Sequence, residues 1–324
     1  MQKLLAIATL AVAFSCNAPT PDRPLTDGKP FSDPSQEVEL NSQLAVNTPQ
    51  KVSTPPLPKV LTFAGDTIPL DRDDIREGLE NELLVNTFRH SRTLGIIKSL
   101  NRWRPLIEET LQQYAVPVDF LYLAVAESEF DNNAASYAGA VGMWQFMEKT
   151  GEELGLEVSR DVDMRRDPVL ATQAASVYLK KAYERLNNWS LVAASYNRGV
   201  NGIENALEEQ QVNNYFDLHL NSETARYVFR ILAFKLILEN PEAYGYYVKP
   251  EEYYQPYAFY VDSVSQDIAN VVDYAKDKNT TYKELRILNP WLNNTRNYKL
   301  DVPRNTTYAV RLPKNDNKAA VASR

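Results

Sequence analysis

The sequence has little cysteine, little histidine and no excess of positive charge. Its 324 residues include 1 cysteine and 2 histidines, His90 and His219, which stand far apart in the chain. A single cysteine cannot form an internal disulfide, and without a cluster of cysteines and histidines a metal site has almost no support. The formal net charge of −7 argues against nucleic acid as a partner. No residue pattern implies a cofactor.

Long hydrophobic runs are also scarce, apart from one at the amino terminus. Residues 4–14 follow Lys3 and give an apolar run of roughly ten residues, too short to span a bilayer, which is typical of a secretory signal. Cys16 comes soon after, and this order resembles a bacterial lipobox. The resemblance implies a lipoprotein signal peptide over residues 1–15, cleavage before Cys16 and acylation of Cys16, so that membrane lipid becomes a partner. The alternative is an ordinary secreted protein with an incidental cysteine.

The next segment, residues 16–70, is predicted to be a flexible tether. Ten of the nineteen prolines fall within residues 17–70, among serines, threonines and aspartates and with few aromatics. Its last part, residues 60–70, has enough apolar side chains to pack on the folded domain as an extended strap.

From Asp71 the spacing of apolar residues predicts successive helices, so the expected fold class is mainly α. The pair Asp167-Pro168 predicts the start of a helix that runs to about Leu186, because aspartate caps helices and proline suits their first turn. Ser190 and Ser222 are predicted to cap two further helices.

One stretch combines a buried helix with a polar loop. Residues 119–145, DFLYLAVAESEFDNNAASYAGAVGMWQ, begin with a nearly all-apolar helix that ends close to Glu127. Glu129 would point roughly the opposite way, since successive helical residues are about 100° apart, so only one of the two acids faces any one cavity. Burial and the negative end of the helix dipole both raise the pKa of a carboxyl group, as a general acid requires. The following loop, with Trp144 beside Gln145, suits a sugar-binding cleft.

Each of these residues also has a purely structural interpretation. A glutamate near a helix end is usually a solvated surface residue, and the dipeptide Glu127-Ser128 alone is a weak signal. By the same reasoning Tyr196 is a core aromatic and Arg226 a surface charge.

Four motifs, taken in their order along the chain, favour a functional interpretation of these residues over a structural one. They are Glu127-Ser128, Gly142-Met143-Trp144-Gln145, Ser195-Tyr196-Asn197-Arg198-Gly199 and Glu223-Thr224-Ala225-Arg226-Tyr227. Together with the segment VDMRRDP at residues 162–168 they resemble the lytic murein transglycosylases of the soluble-transglycosylase, goose-lysozyme-like type, and most closely the membrane-bound lytic transglycosylase D group. The resemblance implies a lysozyme-like helical domain, here residues 71–247 with an N-terminal helical extension.

The resemblance also implies a reaction. The enzymes of this family cleave the β-1,4 bond between N-acetylmuramic acid and N-acetylglucosamine in peptidoglycan, so glycan strands are the expected partner. Glu127 would act first as general acid and then as base, and a 1,6-anhydro sugar would form. The residues implied to bind substrate are Ser136, Met143, Gln145, Tyr196, Asn197, Glu223 and Tyr227. Arg198 stands where the family usually has alanine, and Met143-Trp144 also departs from the common loop sequence.

The C-terminal part predicts a strand over residues 259–264, helices over 267–278 and 282–288, and a strand over 308–312. Seven tyrosines precede or begin it, within residues 244–260. The order resembles a divergent LysM module, an α+β glycan binder, here residues 255–313. Because Gln266-Asp267-Ile268 replaces the usual Gly-Asp-Thr, a packing appendage is an equal alternative. Residues 314–324 are predicted to be a loose tail.

Two other functions remain open from the sequence. One is a catalytically silent scaffold that binds peptidoglycan, and the other is a goose-type muramidase that hydrolyses the same bond. The family resemblance implies a bacterial envelope location, with the lipid anchor in the outer membrane and the domain facing the periplasm. No protein partner is indicated.

Overall fold

The computed structural model describes residues 52–293 and 298–314. By its internal contacts the chain divides into Met1–Ser53 and Thr54–Arg324, and all structure reported below belongs to the second unit. The predicted signal peptide, Cys16, most of the tether and the tail beyond residue 314 lie outside the described residues.

The described elements are mostly helical, which confirms the predicted fold class. In chain order they are β1 (Thr62–Phe63), β2 (Asp66–Thr67), α1 (Asp73–Thr87), α2 (His90–Gln113), α3 (Leu121–Ser128), α4 (Glu148–Glu153), α5 (Pro168–Leu186), α6 (Trp189–Arg198), α7 (Val200–Gln210), α8 (Ser222–Glu239), β3 (Phe259–Val264), α9 (Val271–Asp277), α10 (Tyr282–Leu288) and β4 (Tyr308–Pro313). Short 3-10 turns lie at Val118–Phe120, Met164–Arg166, Tyr215–Asp217, Pro241–Tyr244 and Pro250–Glu252. None of the helices in the described ranges is long and apolar enough to cross a membrane.

The end of the predicted tether packs on the helical body, as expected for a strap. It forms the small antiparallel hairpin β1–β2 rather than a single extended segment, and Leu61, Phe63 and Ile68 are buried. Asp119 fixes the turn by accepting a hydrogen bond from the Ala64 amide at 2.6 Å. The packed body therefore begins before residue 71, where the tether was predicted to end.

Helix α3 lies at the centre of the helical body. Its residues from Leu121 to Val125 are buried, and it packs against α8, which also packs against α1. The apolar face of α8 is broad, with buried residues throughout its length. Burying apolar surface on several sides of α3 stabilises this short helix and fixes where its last turn lies.

The helix starts follow local capping chemistry. Asp167 accepts hydrogen bonds from the amides of Val169 and Leu170, and α5 runs from Pro168 to Leu186 as predicted. The predicted caps Ser190 and Ser222 are wrong. Asn188 caps α6 and Asn221 caps α8, and each serine lies inside its helix.

The C-terminal part has the predicted strand-helix-helix-strand order. Strands β3 and β4 pair antiparallel, with Tyr260 opposite Leu312, and helix α9 is shorter than predicted because Asn270 caps it. This part is joined to the helical body by backbone hydrogen bonds, of which the Asp163 amide to the Trp291 carbonyl, at 2.8 Å, is one. The Arg311 guanidinium adds a paired contact to the buried Asp167 carboxylate, at 2.5 and 3.1 Å.

Candidate active site

Glu127 lies in the last turn of α3, as the sequence predicts. The helix stops there because Glu129 and Phe130 both adopt left-handed backbone conformations, with φ of 56° and 67°. The Glu129 carboxylate pairs with Arg89 at 3.3 Å and Arg92 at 2.8 Å. These ion pairs hold Glu129 away from Glu127, so the two acids diverge.

The Glu127 side chain is partly buried and hydrogen-bonded. The Tyr227 hydroxyl, on α8, donates to its Oε1 atom. Burial raises the pKa of Glu127 to about 7, the nearby Glu223 charge also raises it, and the Tyr227 hydrogen bond and Arg230 lower it. A substantial fraction of this carboxyl group is therefore protonated near neutral pH, in line with the sequence expectation for its pKa.

Tyr196 lies near Glu127 without a hydrogen bond to it. Its hydroxyl donates to the Trp144 carbonyl at 2.8 Å, and its ring packs edge-on against Tyr178 at 5.3 Å between centroids. Burial, with the Glu127 charge as a smaller cause, raises the pKa of Tyr196 well above its ordinary value. The hydroxyl therefore stays neutral beside the acid.

The loop after α3 turns sharply at Gly142. Its φ is 86°, and a Cβ atom added there would lie 2.0 Å from the Arg165 carbonyl oxygen, so this position accepts only glycine. The Ser128 hydroxyl donates to the Met143 carbonyl at 2.8 Å. This bond ties the loop to the residue next to Glu127.

Two residues of this loop do not form a cleft wall as the sequence suggested. Met143 and Trp144 each have 0% exposure and belong to the hydrophobic core. The Trp144 indole N–H donates to Thr172 on α5 at 3.0 Å, which satisfies its polar atom inside the core. Met143 was predicted to bind substrate, and the structure instead buries its side chain, because the loop folds its apolar residues inward.

The remaining predicted residues lie on the loop after α3, at the end of α6 and at the start of α8. Gln145 is partly buried and donates to the Gly142 carbonyl at 2.8 Å, and Ser136 is exposed and accepts from the Ala140 amide at 3.0 Å. Asn197 accepts from the Thr224 hydroxyl at 2.8 Å, which joins the end of α6 to the start of α8. The exposed Glu223 follows on α8.

Sequence reasoning missed the residue that holds this loop in place. The buried Arg165 guanidinium makes a paired contact with Asp163, at 2.8 and 2.9 Å, and donates to the carbonyls of Gly139 at 3.3 Å and Phe146 at 3.1 Å. Both charged residues lie in the segment VDMRRDP, which carries part of the family resemblance but no signal of burial. A buried arginine joined to the loop carbonyls fixes the backbone next to Glu127.

Within residues 52–293 and 298–314, no three acidic, histidine or cysteine side chains converge in a way that would hold a metal ion. The partly protonated Glu127 carboxyl group lies near the neutral hydroxyl groups of Tyr196 and Tyr227, an arrangement that can transfer a proton.

Two parts of the chain match known domain families. Residues 105–218, which include Glu127 and Tyr196, match the family described as the transglycosylase SLT domain. This stretch belongs to that domain family. Residues 260–316 match the soluble lytic transglycosylase C-terminal LysM-like domain, so the SLT domain is followed by the predicted LysM-like part.

Two relatives carry the name membrane-bound lytic murein transglycosylase D, one from Escherichia coli K12 and one from Escherichia coli O6:H1. Each is 31% identical over 191 residues, which cover 56% of this chain and 41% of the relative. The match therefore spans less than half of the relatives' length.

Two solved structures are also similar. One is an inactive mutant of the lytic transglycosylase Slt from Pseudomonas aeruginosa, at 20% identity and a TM-score of 0.37, covering 47% of this chain and 26% of that one. The other is the 70 kDa soluble lytic transglycosylase from Escherichia coli, at 20% identity and a TM-score of 0.35, covering 46% of this chain and 26% of that one.

Proposed function

We propose that this protein is a peptidoglycan lytic transglycosylase with Glu127 as its acid and base. The observation that supports this most is the partly buried Glu127 carboxyl group with a pKa of about 7, inside an SLT domain. A group with this pKa is protonated in enough molecules to donate at neutral pH, and its conjugate base is strong enough to accept a proton afterwards.

The proposed reaction needs a single carboxyl group. Glu127 donates its proton to the oxygen of the β-1,4 bond between N-acetylmuramic acid and N-acetylglucosamine as the bond from that oxygen to muramic C1 breaks. The C6 hydroxyl of the same muramic acid then attacks C1, and the Glu127 carboxylate takes the hydroxyl proton. The products are a free 4-hydroxyl group and a 1,6-anhydro sugar, with Glu127 protonated again and no water consumed.

The neighbouring residues have supporting roles in this proposal. Tyr227 orients the Glu127 carboxyl group through its hydrogen bond. Tyr196, Asn197, Gln145, Ser136 and Glu223 would contact the glycan around the scissile bond. Met143 supports the loop from within the core and does not contact the sugar.

A hydrolase is the second candidate, because the site has a second carboxylate, Glu223, whose charge raises the pKa of Glu127. Glu223 is exposed, raises the pKa of Glu127 and pairs with Arg230 at 3.3 Å. In a muramidase, a second carboxylate would activate a water molecule. The transglycosylase is the better candidate because the Glu223 carboxylate is already paired with Arg230 and exposed to solvent.

The cellular setting is part of the proposal. Acylated Cys16 would hold the protein on the outer membrane, facing the periplasm, and the proline-rich tether would let the SLT domain reach the peptidoglycan layer. The E. coli relatives are named membrane-bound, which supports envelope association.

Digestion of purified sacculi tests the reaction directly. Mass spectrometry of the released muropeptides is expected to show anhydro ends, each lighter than the corresponding reducing end by one water. If the parent released muropeptides with reducing ends, and the Glu223→Gln protein did not, the transglycosylase would be overturned in favour of a hydrolase. Binding to sacculi without any release would instead favour a silent scaffold.

A further inference from the structure

A cavity lies on the side of the SLT domain that faces the LysM-like part. Its volume is about 470 Å³, a size typical of small-molecule sites, and it does not include Glu127. Its walls come from α2, the start of α5, the linker before β3, and the end of α10. It is thus assembled only when both parts of the chain are folded together.

One wall of this cavity is an aromatic surface built by the tyrosine-rich linker. The linker is fixed along α2 by the Tyr254 amide donating to the Lys98 carbonyl, at 3.0 Å, and by Arg102 donating to the Gln255 carbonyl, also at 3.0 Å. Arg102 also donates to the Tyr257 hydroxyl at 3.0 Å and lies 4.2 Å from the centre of its ring. Tyr257 meets Trp103 edge-on at 6.2 Å between centroids. This wall is therefore held in position without a ligand.

The lining of the cavity also includes a buried polar side chain, that of Asn132. Asn132 follows α3 by a few residues and has 8% exposure, and its buried Oδ1 atom has no hydrogen-bond partner among residues 52–293 and 298–314. Leaving such an atom unpaired is unfavourable, so its retention favours a ligand toward which the Asn132 amide turns to make the missing hydrogen bond. Gln173 on α5 also lines this space.

The charges of the cavity argue for an uncharged ligand. The two arginines that line it are already engaged, Arg311 by Asp167 and Arg102 by the linker carbonyl and the Tyr257 hydroxyl. What remains is aromatic and aliphatic surface, the Thr110 hydroxyl, the exposed Glu109 and three side-chain amides, those of Gln113, Asn132 and Gln173. A sugar ring matches this set, because it has an apolar face of C–H groups and a rim of hydroxyl and amide groups.

We infer that the cavity between the SLT domain and the LysM-like part is a second saccharide site, with the aromatic wall of Trp103 and Tyr257 stacking on an N-acetylhexosamine ring and Asn132 accepting one of its hydrogen bonds. The choice of a saccharide over another uncharged ligand rests on the proposed glycan cleavage. Since Asn132 belongs to the loop that follows the Glu127 helix, glycan held there would lie on the same protein body as the strand being cut.

Hydrogen–deuterium exchange of the full chain tests this site. The probe is N,N′,N″-triacetylchitotriose, and the parent is the Glu127→Gln protein, which avoids turnover. Two regions are expected to gain protection: residues 102–113 with 255–259 at the cavity, and residues 195–198 with 223–227 at the cleft. Protection at the cavity alone would retain this site and contradict the proposed function. Protection at the cleft alone, or at neither region, would overturn the second site.

A variant separates binding from folding. Asn132→Leu keeps the side-chain size and removes the amide, so it is expected to weaken saccharide binding at the cavity at least about tenfold and to leave cleft protection unchanged. The melting temperature of Asn132→Leu should not fall, because the substitution removes a buried polar atom that makes no hydrogen bond in the structure. Asn133→Leu, at the exposed neighbouring position, is the matched control and should bind as the parent does. Gln173→Leu should weaken cavity binding in the same direction, and unchanged affinity in both Asn132→Leu and Gln173→Leu would refute the site.

Discussion

The Tyr227 hydroxyl donates a hydrogen bond to the Glu127 carboxyl group, joining α8 to the last turn of α3. This bond favours the charged form of Glu127 and so opposes the effect of burial on its pKa. In Tyr227→Phe the pKa of Glu127 should rise further, and the fall of activity at alkaline pH should move to higher pH. The maximal rate should drop about tenfold, because the carboxyl group loses its orientation. The pH–rate profile on sacculi measures both effects.

Tyr215→Phe is the matched control for that change. The Tyr215 hydroxyl donates to the Ala225 carbonyl on α8 at 2.8 Å and does not bond to Glu127. Its loss should lower the free energy of unfolding by about 1 kcal/mol and leave the pH–rate profile in place. A shifted profile in Tyr215→Phe, or an unshifted one in Tyr227→Phe, would contradict the positioning role.

Glu127 should make the protein less stable at alkaline pH. Its pKa is about 7 in the folded protein against an ordinary 4.5, so the folded state binds more protons between these values and stability falls as the pH rises through them. Glu127→Gln cannot ionise and should be more stable than the parent at pH 8, by up to about 3 kcal/mol, and similar to it at pH 4. Urea unfolding at both pH values measures the difference. An equal difference at pH 4 and pH 8 would rule out this pKa.

Two glycines in one loop should respond differently to alanine. Both Gly139 and Gly142 have positive φ, at 92° and 86°, but an added Cβ meets nothing within 4 Å at Gly139 and lies 2.0 Å from the Arg165 carbonyl oxygen at Gly142. Gly139→Ala should cost about 1 kcal/mol of stability, and Gly142→Ala about 3 kcal/mol or more with loss of cleavage. Thermal unfolding and sacculus digestion compare them, and equal costs would contradict the close approach.

The buried Arg165–Asp163 pair should be strongly coupled. Arg165→Met leaves the Asp163 charge buried and removes the donors to the Gly139 and Phe146 carbonyls, so it should cost about 3–5 kcal/mol. Asp163→Asn alone should also be costly, and the double variant should lose less than the sum of the two. A double-mutant cycle from denaturant unfolding measures this coupling, and additive losses would show that the pair does not act as a unit.

The sequence predicts the helices and the position of Glu127 in the last turn of α3 better than it predicts the surroundings of Glu127. Apolar spacing and the Asp167-Pro168 pair locate α5 because those signals are local. Ser190 and Ser222 fail as caps because Asn188 and Asn221, just before them, cap equally well, and only the surrounding structure selects between them.

The environment of Glu127 depends on contacts that are distant in sequence. From the sequence, Trp144 suits a sugar-binding cleft. In the structure its indole N–H donates to Thr172, on another helix, within the core. In the sequence, nothing distinguishes Arg165 from the many surface charges. In the structure it is buried and bonded to Asp163 and to two loop carbonyls. Glu127 and Tyr227 could be identified together only because a family resemblance linked them, since 100 residues separate them.

The most direct measurement compares the rate at which the parent and Glu127→Gln release muropeptides from purified sacculi at neutral pH. Glutamine keeps the shape of the side chain but cannot donate and then take back a proton, so release should fall at least about a hundredfold. Binding of both proteins to the sacculi should remain, which controls for folding. If the Glu127→Gln protein bound and released glycan as fast as the parent, Glu127 would not be the proton donor, and the account of this site would be wrong.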